Sequence, residues 1–443
     1  MDRSVFKKLE NKTGTKFIAN FVLVFILFST ALTFDPIHFK EVFEFPKLLM
    51  LFLTVGILTF INILKIALPK KNVQKDKIFK TIRHELFFLI MFFVGHILAF
   101  IFSTNKNISL LGTPFRYQGF LSYLYYVLFL LNTIYVFKNN KINIFKWLNV
   151  LLFLVCALAI SPYLLPYIYP FIYFNPAFFY NRVYGTFGNP NYLASFIIAI
   201  LPIAIFTWKQ SFSNKLIRNA NIVMIFLFVI TLFLTGSRSA WVASILSFGI
   251  FGILKIIKEK DYKILITICI IFSLILIGIE FKKYIAPIVP QIERLKLDTT
   301  KSNSIATRKT LWQIGIKMIR NEPFTGYGHD MLQKNINPLL PDNLKSDPTY
   351  FIDRTHNELL DIILMHGFLT FIGYIGLISL TWINGIKIYV YEKQKSMMPV
   401  LIGITSLNFY HIMNFSSITS NILLFLMIGY IISVKISSAK KIL

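Results

Sequence analysis

The sequence predicts an all-α integral membrane protein of about twelve transmembrane helices, on three observations. Of its 443 residues 56% are apolar, and the mean hydropathy is +0.64, far above that of an ordinary soluble chain. Charged residues make up only 15% and fall in clusters. Between the clusters lie apolar runs of roughly 18 to 22 residues, the length that crosses about 30 Å of hydrocarbon as helix.

In order, the runs lie near 17–34, 47–67, 86–103, 119–137, 145–165, 191–208, 221–235, 239–257, 262–279, 357–380, 397–413 and 418–434. The first leads into FDPIHFKEVFEFPK rather than a small-residue cleavage site, so it is expected to stay as a span and not to be removed as a signal peptide. Positive charge orients the set. With the N-terminus cytoplasmic, the inside segments hold Lys7, Lys8, Lys70, Lys71, Arg83, Lys141, Lys215, Lys258, Lys393 and Lys440 among others. The short outside loops hold only Lys40, Lys47, Lys106, Arg116, Arg182 and Arg238. Both termini are therefore expected inside. The same retention explains the formal charge of +26, and no contiguous basic soluble domain points to nucleic acid.

One long connection, 280–356, is expected outside, which makes residues 1–443 a single membrane domain with one large external loop. Within it SIATRKTLWQIGIKMIR spaces Trp312, Ile316 and Ile319 as an amphipathic helix over about 304–321, ended by Pro323 and TGYG. Cys156 and Cys269 lie inside apolar runs and read as packed core residues. Neither H-E-x-x-H, C-x-x-C nor a dense carboxylate cluster occurs, so no metal site and no cofactor are expected. Asp35, Glu41 and Glu44 read as solvated acids of the first outside loop.

The few cations expected outside are informative. Arg182 sits in NRVYGTFGNPNYLA, Arg238 in TGSRSAW, and His356 in DRTHNELLDIILMHG, where Thr355 and Glu358 have the spacing of a capping box. All three lie at helix starts, where unpaired N–H groups attract anions and guanidinium groups fork two hydrogen bonds onto phosphate. Arg308 lies one turn before Trp312. An interface arginine that snorkels to lipid headgroups, and a histidine satisfied at a helix start, fit the same spacing. His366 reads as a packed histidine and His329 as a loop residue. The aromatic run SPYLLPYIYPFIYFNPAFFYN fits an interfacial belt or a groove for an isoprenoid tail.

Four segments then carry a resemblance. NRVYGTFGNPNYLASF resembles the R-x-x-GTFGNPN-x-LA segment of the O-antigen ligase/polymerase superfamily, and LTGSRSAWVA resembles its S-R segment. ATRKTLWQIGIKMIRNEPFTGYG is similar to its R-x-x-x-W…P-x-x-G-x-G stretch, and HNELLDIILMHGFLT to its His-Asn, nine residues, Gly pattern. The resemblance runs from about residue 181 to 370.

It implies a fold similar to the GT-C type of membrane glycosyltransferases. It also implies metal-independent, inverting transfer of a glycan from polyprenyl diphosphate to an acceptor hydroxyl, in the bacterial inner membrane with the active face external. By the match Arg238 and Arg308 would hold the diphosphate and His356 would act on the acceptor. Arg182, Asn189, Asn191, Arg354 and Asn357 would line the substrate site. The implied partners are the lipid-linked glycan, an acceptor glycan, the bilayer and a chain-length regulator. Polymerisation of lipid-linked repeats is the expected reaction, with ligation to lipid A core and protein O-glycosylation as alternatives. A different class, an anion or bicarbonate transporter, would need paired broken helices in two related halves, whereas the candidate residues here all face one side. A structural scaffold for polysaccharide assembly explains neither the arginines nor the histidine.

Overall fold

A computed structural model describes residues 12–35, 43–67, 75–139, 143–164, 182–211, 215–259, 304–345 and 352–439. Among them the secondary structure is helical, without a strand. The principal helices are α1 (Lys12–Leu32), α2 (Glu44–Ala67), α3 (Arg83–Phe102), α4 (Phe120–Asn139), α5 (Ile144–Leu164) and α6 (Pro190–Gln210). They continue as α7 (Lys215–Leu234), α8 (Arg238–Glu259), α9 (Ser304–Ile319), α10 (Glu358–Tyr391), α11 (Met397–Met413) and α12 (Ile418–Ala439). Nine described helices are long and apolar enough to cross a membrane, and Phe17–Leu32 and Met397–Met413 are shorter apolar helices. The protein is thus an all-α polytopic membrane protein. The run near 262–279, with Cys269, lies outside the described residues, as does most of the aromatic segment before Arg182.

Burial orders the bundle. Within their membrane-length windows α6 and α12 are 72% buried, against 17% for α7 and 28% for α8, so the first pair is central and the second peripheral. Leu216, Val223, Phe226 and Val242 project from that periphery. Exposed apolar side chains there suit lipid, which leaves only the helical backbone to be satisfied internally. α12 packs along α4, α6 against α11, and α3 against α10. The last pair meets on small residues: a Cβ on Gly95 would come within 2.2 Å of the Thr370 hydroxyl oxygen, and one on Gly373 within 2.3 Å of the Phe92 nitrogen. Near the start of α3, buried Glu85 accepts hydrogen bonds from Asn384 of α10 at 2.7 Å and Lys435 of α12 at 2.5 Å. That clamp neutralises an acid that would be costly unpaired inside a bundle.

Three expectations are corrected. Glu44 is buried rather than solvated and pairs at 2.9 Å with Lys47, itself fully buried, because the start of α2 is covered by the packed segment that leads into α6. The stripe of α9 is rotated: Leu311, Gly315 and Met318 face the protein while Ile316 is 58% exposed. Gly315 decides this, since its missing side chain lets Leu360 and Leu364 of α10 come within 3.0 and 3.1 Å of the Cβ position. The cap of α10 is Asn357, whose side chain accepts from the Leu360 amide at 3.1 Å. Thr355 gives its hydroxyl and amide hydrogens to Asp361 instead, and Glu358 binds Ser416, so no capping box forms.

α10 is broken at Gly367, which has φ +76°. The turn after α9 docks into the break. Tyr327 and Gly328 donate backbone N–H groups to the Leu364 and Met365 carbonyls at 2.8 and 3.0 Å, and Phe368 donates to Pro323 at 2.9 Å. A Cβ on Gly367 would lie 1.9 Å from the Phe324 carbonyl oxygen, and one on Gly326 2.5 Å from the Met365 carbonyl carbon. Two separate sequence patterns, P-x-x-G-x-G and His-Asn…Gly, are therefore halves of one joint, in which the turn satisfies backbone groups the broken helix leaves free.

Candidate functional site

At one end of the bundle the loops before α4, α6, α8, α10 and α12 interlock. Asn189 caps α6 by accepting from the Asn191 amide at 2.8 Å, and Pro190 occupies the first turn. Arg182 donates to the Thr235 carbonyl at 2.5 Å and to the Asn191 side-chain oxygen at 2.8 Å, and the Val183 amide donates to the Leu234 carbonyl. This lashes the GTFGNPN segment to the TGSR turn that starts α8 with Arg238. Asn414, from the loop between α11 and α12, donates to the Ser239 hydroxyl at 2.5 Å and accepts from the Glu358 amide at 3.1 Å. One loop thereby ties α8 to α10.

His356 stands in the middle of this junction. Its backbone is left-handed, φ +58°, which places a non-glycine residue under strain, and its ring packs 5.1 Å from Phe415. The buried Nδ1 has no hydrogen-bond partner among the described residues. Burial, with the charges of Arg308 and Arg116, pulls the imidazole from 6.5 down to about 4 against the pull of Asp353, so the ring is neutral at pH 7.

Arg308 reaches the same place from α9. Trp312, one turn on, donates its ring N–H to the Thr355 carbonyl at 3.0 Å, which fixes α9 beside the His356 segment. Burial lowers the Arg308 guanidinium; Tyr410 opposes that and the charge of Arg238 adds to it. Two cations thus repel each other near a neutral histidine, and among the described residues no carboxylate pairs with Arg308. Such a point suits an anion, because an anion near the two guanidinium groups would be attracted by both.

Other predicted site residues are engaged in structure. Arg354 is buried and ion-paired with Asp330, with a second nitrogen 3.0 Å from the Met365 sulfur, which leaves it without an open face. Asn189 and Asn357 are helix caps, and Asn191 receives Arg182. Sequence reading passed over Arg116 except as a loop charge. It forks onto both oxygens of Asp353 at 2.6 and 2.9 Å, donates to the Tyr192 hydroxyl, and lies 4.0 Å from the centre of the Phe415 ring. The signal for it was its isolation in an outside loop. Phe415 and Asn414 lacked any signal, since NFSS reads as an ordinary turn.

Residues 222–375 match the family described as O-Antigen ligase. Over that stretch the match supports the resemblance to the O-antigen ligase/polymerase superfamily. The matched stretch holds Arg238, Arg308, Trp312 and His356, and both halves of the Gly367 joint. The Arg182 loop precedes it and is tied to it through Thr235. No curated protein matches the chain. The match supports a membrane glycan ligase or polymerase role.

Three further histidines, each unremarkable in sequence, converge nearby. His96 of α3, His329 of the docked turn and His366 beside the break all lie buried, and one ring nitrogen of each falls within 4.8 Å of the others. His329, expected as a loop residue, lies in a turn and is fully buried because that turn fills the break in α10.

Proposed function

We propose that this protein moves a glycan from a polyprenyl diphosphate to an acceptor hydroxyl, and that it polymerises lipid-linked repeat units of a surface polysaccharide. The observation that carries the proposal is the neutral, strained His356 with an unpaired Nδ1, set beside the mutually repelling Arg308 and Arg238. Arg238 and Arg308 hold the diphosphate. As the bond between the anomeric carbon and the diphosphate oxygen breaks, negative charge grows on the leaving group, and fixed guanidinium donors stabilise it as a divalent ion does elsewhere. The acceptor oxygen attacks from the opposite face, with inversion, and its proton passes to His356, a contribution of about 10²–10⁴-fold for a positioned base.

The positive-inside pattern supports placing both termini in the cytoplasm and this end of the bundle on the external face of the bacterial cytoplasmic membrane. Arg182 and Arg116 act at one remove, by holding the α6 and α10 starts in place.

The test is transfer by purified protein in buffer without added divalent ions, offering lipid-linked repeats or lipid A core, and comparing wild type with Arg238→Ala and Arg308→Ala. A ladder on lipid that disappears in both variants supports the polymerase; a single adduct on lipid A core makes the protein a ligase. Wild-type rates in both variants would overturn the diphosphate role.

A further inference from the structure

The three buried histidines are not absorbed by this mechanism. His96 Nδ1 lies 2.9 Å from His329 Nε2, and His329 Nδ1 lies 3.2 Å from the Ser109 hydroxyl, which also accepts from the His329 amide. With Nδ1–H donating to the second lone pair of that hydroxyl, Ser109 orients the ring and Nε2 keeps its lone pair for a ligand. His366 stands with its ring centre 4.4 Å from that of His96 and 4.5 Å from that of His329. Neither of its nitrogens has a hydrogen-bond partner among the described residues, nor has His96 Nε2. A neutral imidazole always carries one donor and one acceptor, so two polar atoms of His366 are stranded in a buried place. The rings pack on Tyr123, stacked 3.9 Å from His96 and edge-on 4.9 Å from His366, and the buried Tyr123 hydroxyl is likewise without a hydrogen-bond partner among the described residues.

We propose that His96, His329 and His366 bind one divalent transition ion of the zinc class, and that the ion rivets the docked turn to α3 and to the break in α10. Three neutral imidazoles are a donor set that suits zinc, and tetrahedral binding needs nitrogens about 3.3 Å apart; here one pair stands at 2.9 Å and all three lie within 4.8 Å of one another. The three donors come from three segments, so the ion crosslinks parts of the chain from His96 through His329, 233 residues on, to His366 further still. Its neighbour Asp330 accepts from Arg354, next to the Asp353 that receives Arg116, so the ion stands behind the scaffold of the arginine site without entering it.

The deciding experiment measures metal in full-length protein purified in detergent without a polyhistidine tag or chelator. The expected result is about one zinc per chain by elemental mass spectrometry, a several-fold fall in His96→Gln and His366→Gln, and the intense visible bands of tetrahedral cobalt when Co²⁺ replaces zinc. Folded wild-type protein that holds no ion, gives no such bands and gains no thermal stability from Zn²⁺ would overturn it, and so would equal zinc in wild type and variants. Should the variants fail to fold, the wild-type cobalt spectrum alone decides. None of these readouts uses glycan transfer, so their failure leaves the proposed reaction standing.

Discussion

Arg116 and Asp353 form a two-pronged ion pair, at 2.6 and 2.9 Å, across 237 residues of chain, with both side chains nearly out of reach of solvent. Arg116 holds the Asp353 carboxyl below its ordinary range despite burial. The pair fixes the segment that ends in His356 to the loop before α4. Removing one partner leaves the other charge buried and uncompensated, which costs roughly 3–5 kcal/mol. Arg116→Ala should lower the thermal midpoint sharply in detergent, and adding Asp353→Asn should recover part of the loss. A midpoint within error of wild type in Arg116→Ala would mean that the pair does not hold the loops together.

Gly367→Ala should damage the joint between α10 and the turn after α9. The backbone there, φ +76° and ψ 174°, is one that glycine alone takes readily and costs about 1–3 kcal/mol for a residue with a Cβ, and the added carbon meets the Phe324 carbonyl at 1.9 Å. The expected signature is faster limited proteolysis around 320–330 with the membrane helices intact. Proteolysis at the wild-type rate would show that the turn does not depend on the break.

Of the fold, the spans were legible because crossing a bilayer leaves a length and a composition that any chain must obey, and eleven of the twelve expected runs fall on described helices. The rotation of α9 was not, because the glycine that admits Leu360 and Leu364 counts as neutral in a pattern of apolar spacing. At the site, Arg238, Arg308 and His356 could be singled out by type and position. Arg354 could not be told from Arg308, since its ion pair with Asp330 is one that only the fold brings together. The histidine cluster was invisible for the same reason: metal-ligand spacing is readable when ligands share a helix, and these three share none.

His356 titrates lower in the folded protein than unfolded, from 6.5 to about 4. Between those values the unfolded chain binds the extra proton, so stability from this group is fully present above pH 6.5 and is lost as pH falls toward 4. His356→Gln should therefore flatten the thermal midpoint between pH 6.5 and 4 relative to wild type. If the ring is the base of the reaction, the acid limb of kcat/KM should also lie near pH 4 and vanish in the variant. An unaltered stability profile in His356→Gln would assign the acid sensitivity to other groups.

Arg308 offers the sharpest separation of function from structure. Its guanidinium is crowded by Arg238 and is paired with no carboxylate among the described residues, so Arg308→Ala removes a repulsion and a partly buried charge together. Stability should be unchanged or slightly higher, because an exchange of strained charge for a small apolar group is close to neutral. Transfer should fall by about 10²–10³-fold, the usual effect of deleting one preorganised donor to developing negative charge. Arg308→Lys should restore charge without the two-pronged geometry and recover only part of the rate. The check is a thermal midpoint and kcat on the same preparations. A large loss of stability in Arg308→Ala would make this arginine a structural tie, whereas an undiminished rate would remove it from the diphosphate site and leave Arg238 to carry that role alone.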